Sequence, residues 1–278
     1  MGVKNVLALR GDMPRDMQEG EDVFPSGLRH SSDLVPLLKE AGYPEDYLAP
    51  CYRCARCRDT GYVGETVREE CGCVRERYQA KLRQAIGLNT DGRETFECFN
   101  PEVFPDRAVS GSRLSQRQAM NEIRMLCEQW ADAWPAQHPR DVVLSGKAGL
   151  GKTFLLHCMA NRLLERGAHV LLISAYSFLE TARKSYFEND GRMEEILAAE
   201  VLLLDDLGSE PLMQNITAEQ LFYLINERQS RNRPTVISTN LNKEELRMRY
   251  TERIVSRLTD QRHVLYLPLE GRDIRNGR

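Results

Sequence analysis

Gly146-Lys147-Ala148-Gly149-Leu150-Gly151-Lys152-Thr153 follows the pattern G-x-x-x-x-G-K-[ST], the spacing of a loop that holds phosphate groups. Glycines at 146, 149 and 151 let the backbone turn tightly and approach an anion with no Cβ in the way. The freed amides, with the positive end of a following helix, would cradle the phosphates of ATP. Lys152 would neutralise charge on the β- and γ-phosphates, and Thr153 would ligate Mg²⁺. Gly146 to Thr153, with Phe154 opening the helix behind them, form the expected nucleotide-binding set.

The acids that complete such a loop belong at the end of a buried strand farther along. Val201-Leu202-Leu203-Leu204-Asp205-Asp206 meets that requirement. Asp205 would hold the hydrated Mg²⁺, and Asp206 would polarise the attacking water. A further strand, Thr235–Thr239, ends in Asn240, whose side chain would reach between the γ-phosphate and that water. Arg253 and Arg257 are four residues apart on an expected helix and so share a face. Glu210, close behind the two aspartates, reads as a surface charge on a loop.

A second chemistry lies nearer the N-terminus. Of eight cysteines, Cys51, Cys54, Cys57, Cys71 and Cys73 crowd together, while Cys98, Cys127 and Cys158 are scattered, and Cys127 and Cys158 read as packing residues. Cys54-x₂-Cys57, thirteen residues, then Cys71-x-Cys73 offers two close thiolate pairs, the donor set of a tetrahedral Zn²⁺ site. Gly61, Gly64 and Gly72 ease the folding of such a knuckle. Cys51 forms a second C-x₂-C with Cys54, so spacing alone leaves the ligand set open, as it leaves open a redox dithiol or an iron–sulfur cluster.

The elements that position these groups follow from composition and pattern. The chain has 278 residues, 41% hydrophobic and 28% charged, with a formal net charge of −3. That is a soluble globular balance, and it excludes a disulfide miniprotein or a disordered chain. No apolar run of about 18 residues exists, so no membrane partner is expected. Met1–Arg10 lacks a secretory pattern, and the expected location is cytoplasmic, where metal and packing explain cysteines better than disulfides do.

The first 30 residues read as an arm, and a short helix is expected from Ser32 to Ala41. A helix over Arg75–Ile86 and a turn at Asn89-Thr90-Asp91-Gly92 divide the chain into domains 1–90 and 91–278. Beyond the turn, an amphipathic segment Leu114–Trp130 precedes alternating strands and helices. The strands are Asp141–Leu144, Val170–Ile173, Val201–Leu204, Thr235–Thr239 and Val264–Leu267, and the helices Phe154–Leu164, Ser177–Tyr186, Ala218–Gln229 and Lys243–Leu258. This alternation predicts an α/β fold, a parallel sheet with helices on both faces. Lys243–Arg262 carries six basic and four acidic residues, a mixed face rather than a DNA stripe. Tyr176, Arg183, Lys184 and Tyr186 suit single-stranded DNA and a solvated helix equally well.

The phosphate loop, Leu-Leu-Leu-Asp-Asp-Leu-Gly, Ser-Thr-Asn-Leu, Glu252–Leu258 and the closing Gly271-Arg272-Asp273-Ile274-Arg275 together resemble the DnaC/DnaI-type bacterial helicase loaders. These are AAA+ ATPases, with the IstB transposition helpers as close relatives. The resemblance covers about Phe96 to the C-terminus, and Tyr52 to Gly61 with Cys71 and Cys73 extend it toward Tyr43.

It implies that Asp206 is the catalytic carboxylate, Asn240 is sensor 1, Arg257 is an arginine finger serving a neighbouring subunit, and Arg275 is sensor 2. It also implies zinc on Cys54, Cys57, Cys71 and Cys73, with Cys51 spare, and an aromatic entry motif at Phe96 and Phe99. The implied partners are a replicative DnaB-type helicase, single-stranded DNA and further copies of the chain in an ATP-dependent oligomer. Most AAA+ proteins carry Glu where Asp206 stands, and the shorter acid implies slow hydrolysis. The same residues leave two other functions open: a transposition helper, and a zinc-dependent adaptor that binds nucleotide with little hydrolysis.

Overall fold

The computed structural model describes residues 52–64, 67–85, 87–88, 93–108, 113–188, 191–213 and 216–275, with Pro36, Leu38, Lys39 and Gly42. The N-terminal arm, most of the short helix expected over 32–41, Tyr43, Cys51 and the turn at 89–92 lie outside these residues.

Two compact units divide between Val74 and Arg75, earlier than the turn expected to separate them. The division falls inside helix α1 (Gly72–Ala85). The reason lies in what the later part of this segment packs against. Leu82 and Leu88 join the larger unit's core, and Arg83 donates to Asn161 (2.7 Å) and to Glu165 (3.2 Å). In the smaller unit, strands β1 (Tyr62–Val63) and β2 (Glu69–Glu70) pair antiparallel.

The larger unit opens with 3₁₀ turns at Phe96–Cys98 and Pro101–Val103 and helix α2 (Gln116–Asp132). Ser115 caps α2 in a reciprocal capping box with Gln118, and Met120, Ile123, Cys127 and Trp130 give the helix one buried stripe. There follow β3 (Asp141–Ser145), α3 (Lys152–Glu165), β4 (Val170–Ser174) and α4 (Ala175–Glu188). Next come α5 (Arg192–Ala198), β5 (Val201–Leu207), α6 (Thr217–Ser230) and β6 (Thr235–Thr239). Helices α7 (Lys243–Arg249) and α8 (Glu252–Leu258) and strand β7 (Val264–Pro268) close the unit.

The five strands run parallel in the order β4-β5-β6-β3-β7. Side chains alternate along β3, so one strand feeds two cores. Val142 and Leu144 pack with Met120, Trp130, Leu155 and Met159 on one face, while Val143 packs with Phe178, Leu197, Leu221 and Ile254 on the other. Burial on both faces is why Val142–Leu144 of β3 and Val201–Leu204 of β5 are continuously aliphatic. Cys127 and Cys158 lie in the first core, as their spacing predicts. Phe96 is buried there and Phe99 packs against it, so both aromatics anchor the segment leading into α2.

Two elements differ from the sequence reading. The single helix expected over Lys243–Leu258 breaks into α7 and α8 because Tyr250 adopts an extended conformation and Thr251 starts a new turn. Tyr250 buries its ring in the second core and donates its hydroxyl to the Glu210 carboxylate. Glu210 is therefore not the loop surface charge its position suggests: it is 3% exposed and also accepts the Gly208 amide at 2.8 Å. Helix α5 is absent from the sequence reading because its buried residues, Ile196 and Leu197, are adjacent and carry no helical period.

Arg228 is fully buried, and its guanidinium serves backbone carbonyls. It donates to Ile196, Leu197 and Ala199 at 2.9, 3.2 and 2.9 Å, to Pro234 at 2.6 Å and to the Thr235 hydroxyl at 3.0 Å. It thereby ties the end of α5 to the start of β6. Arg228→Met leaves those carbonyls without a donor in a dry site, and the expected loss is about 3 kcal/mol of unfolding free energy. An unchanged urea midpoint would contradict this.

Candidate functional site

Strand β3 lies between β6 and β7, so the loop leaving it opens at the carboxyl ends of several strands, where parallel sheets bind ligands. A cavity of about 400 Å³ lies there, within the range of small-molecule sites. Gly149, Gly151, Lys152, Thr153, Phe154, Asp205, Asp206, Asn240 and Arg275 are among its lining residues. Of the phosphate-loop residues, Ala148 also faces the cavity, while Gly146, Lys147 and Leu150 shape the loop without lining it.

Lys152 is 6% exposed, and its ammonium donates to the carbonyls of Gly146 (2.6 Å) and Lys147 (2.8 Å). Burial pushes its pKa down, Asp206 and Asp205 raise it, and the Arg275 guanidinium lowers it again. Gly151, in a left-handed conformation (φ 87°), stands at the N-cap of α3 with no side chain to cap the helix amides. A buried cation beside uncapped amides fits an anionic ligand.

The acids are placed by strand pairing. Leu204 faces Ile237, after which a bulge shifts the register against β6 and leaves Asp205 and Asp206 unpaired on that side, while Asp205 still faces Ser174 of β4. The Thr153 hydroxyl lies 3.3 and 3.4 Å from the two Asp205 carboxylate oxygens, a hard oxygen donor set suited to a divalent cation. Asp206 turns into the left-handed region (φ 56°), and Asn240 donates its amide to the Asp206 carboxylate at 2.6 Å. Ser238, which also lines the cavity, donates to Asp205 and accepts the Asp206 amide at 2.9 Å. Sequence reasoning passed over Ser238 as part of the strand body; its signal is a hydroxyl directly before Thr239-Asn240, and it falls opposite the bulge that carries the acids.

Arg275 joins the cavity from the far end of the chain. Arg257 does not: it lines a crevice with Asp141, Thr235 and Val264, at the opposite ends of the strands. Its guanidinium lies 4.6 Å from the Phe222 ring centre, with that of Arg253 at 4.1 Å, and it donates to the Asn226 side-chain Oδ1 at 3.0 Å. On α4, Tyr176 and Lys184 are exposed and Arg183 pairs with Glu180 at 3.3 Å, while the Tyr186 side chain lies outside the described residues. Among the described residues no helix is long and apolar enough to cross a membrane.

In the smaller unit, the sulfurs of Cys54, Cys57, Cys71 and Cys73 all lie within 4.8 Å of one another. Cys54 and Cys71 are 3.8 Å apart, and Cys57 and Cys73 3.5 Å. Sulfurs around a tetrahedral ion at about 2.3 Å lie about 3.8 Å apart, so these four thiols fit one metal ion. The Cys57 amide is the main cause that lowers the Cys54 thiol to about 6, and the hydrogen bond with the Cys57 thiol is the main cause that pushes Cys73 up to about 12. The Asp59 carboxylate accepts the amides of Arg53 (3.0 Å) and Cys54 (2.9 Å), which shapes the first knuckle.

The chain is 33% identical to the replicative helicase loader DnaC of Escherichia coli (strain K12) over 123 residues. That match covers 42% of this chain and 49% of the loader, so the chain spans about half the length of that relative. It is 29% identical to the phage-like element PBSX protein XkdC of Bacillus subtilis (strain 168), over 76% of this chain and 79% of that protein. A solved structure from Streptococcus pyogenes serotype M3, titled as a candidate primosome component, superposes with a TM-score of 0.50 at 19% identity. It covers 70% of this chain and 98% of that one, a likeness of fold alone. The IstB-like ATP binding protein family matches residues 118–276, more than half the chain. With its parallel sheet and phosphate-loop cavity, the chain belongs to the IstB-like ATP binding proteins.

Proposed function

We propose that the chain is an ATP-dependent helicase loader, delivering a replicative DnaB-type helicase onto single-stranded DNA through ATP binding and slow hydrolysis. The observation that carries the ATP chemistry is the convergence of Lys152, Thr153, Asp205, Asp206, Asn240 and Arg275 at one cavity. Thr153 and Asp205 hold the Mg²⁺ that accompanies ATP. Asp206 polarises the attacking water, its carboxylate oriented by Asn240. Lys152 and Arg275 offset the charge on the phosphates.

Arg257 lies outside its own chain's cavity, which supports a role as an arginine finger completing the site of a neighbouring copy in an ATP-dependent oligomer. The larger unit, from Arg75 and containing the domain expected over 91–278, is the motor, and the smaller unit, to Val74, is a zinc-bearing, helicase-binding module. The 33% identity to DnaC over 123 residues supports the loader reading. ATP then works as a switch: its γ-phosphate favours one arrangement of subunits, and hydrolysis releases it.

The steady-state ATPase rate with single-stranded DNA tests the motor. Asp206→Ala is expected to lower it about a hundredfold, the usual scale for a positioned base. Equal rates would instead indicate an adaptor that binds nucleotide without useful hydrolysis.

Zinc analysis tests the module. One zinc per chain is expected, lost in Cys71→Ser together with capture of a DnaB-type helicase but not with ATP binding. Zinc-free wild-type protein would overturn that assignment. The family match itself favours a second reading, a transposition helper, and capture of a transposase by the same full-length chain would select it.

A further inference from the structure

The segment after β7 reaches the nucleotide cavity by way of a residue 156 positions away. Gln116, the first residue of α2, is 2% exposed. Its Nε2 donates to the Arg272 carbonyl at 2.9 Å, and its Oε1 accepts the Arg272 amide at 3.0 Å. A carboxamide is the side chain that presents a donor and an acceptor side by side, so it pairs one residue's N–H and C=O as a neighbouring strand would.

Room for this pairing comes from Gly271, in a left-handed-side conformation (φ 136°). A Cβ there would lie 2.2 Å from Gln116 Cδ. Beyond the pairing, Ile274 donates its amide to the Gly149 carbonyl at 3.1 Å, and Arg275 donates its amide to the Asp273 carboxylate at 2.8 Å. The strap is thus fixed to the rest of the unit at 272 and 274, the bond at 275 being internal to it, and Arg275 lines the cavity.

We infer that Gln116 is a positioning residue for Arg275, buckling down the strap that brings this arginine to the nucleotide phosphates. The inference rests on the reading that Arg275 meets those phosphates. A long, exposed arginine has many rotamers, and where its guanidinium arrives depends on where its backbone is held. Of the strap's anchors, the Gln116 pairing is the buried one made by a side chain from another element. Its loss leaves a backbone donor and acceptor unpaired, which favours release of the strap.

A double-mutant cycle on affinity for a fluorescent, non-hydrolysable ATP analogue tests this. Arg275→Ala is expected to weaken binding about tenfold, and Gln116→Met, which keeps the length and removes both bonds, by about the same factor. Gly271→Ala, which breaks the buckle from the strap side and leaves α2 intact, is expected to match them. Combining either with Arg275→Ala should weaken binding no further than Arg275→Ala alone. Additive losses, or undiminished binding in Gln116→Met or Gly271→Ala, overturn the inference. Lys152→Ala separates the two failures: if it binds as tightly as the parent, the phosphate-loop reading fails and takes this inference with it.

Discussion

A buried ammonium is costly unless something compensates its charge, and the site is arranged around that requirement. Lys152 sits at the mouth of α3 with its hydrogens on two carbonyls of its own loop. Those carbonyls supply partial charge, while the nearby aspartates act at longer range. An incoming polyphosphate completes the compensation and gains from the desolvated cation. The loop can hold the lysine this way only if β3 stays in register between β6 and β7, because Gly146 donates to Thr239 and Leu269 donates to Ser145 across those junctions. Sheet order and site chemistry are therefore one constraint.

The loop's glycines answer to that constraint from two sides. Their spacing suggests backbone that approaches an anion. In the fold, a Cβ on Gly146 would lie 2.2 Å from the Leu269 carbonyl, and one on Gly149 would lie 1.9 Å from the Asp273 carboxylate. Side chains at these positions would strike the chain's own C-terminal segment. The motif is thus pinned by internal packing as much as by its ligand. That is why the Gly271–Arg275 stretch, far away in sequence, belongs to the same local structure as Gly146–Thr153.

The strands, α2, α3 and the pairing of loop with acids were legible because each has a local signature: aliphatic runs, a capping box, a glycine pattern, two carboxylates after four aliphatics. What escaped depended on contacts distant in sequence. The break at Tyr250 is set by Glu210, forty residues earlier, and no property of Lys243–Leu258 by itself announces it. Glu210 resembles a surface acid because burial of a carboxylate needs donors, and here they come from Gly208 and, on another element, from Tyr250 and at 3.4 Å from Arg249. Ser238 and Gln116 escaped likewise: each is an ordinary polar residue until the register or the strap gives it a partner.

The departure at position 206 follows from the same geometry. The bulge after Leu204 turns Asp206 into the left-handed region, where a residue with a Cβ is strained and Asp and Asn are the side chains found most readily. A short carboxylate on a left-handed backbone sits close to its own main chain. Asn240 reaches it at 2.6 Å and Ser238 holds its amide at 2.9 Å. A longer acid would extend past that cradle while keeping the backbone strain with less local compensation. The methylene missing relative to Glu is in this sense matched to the turn.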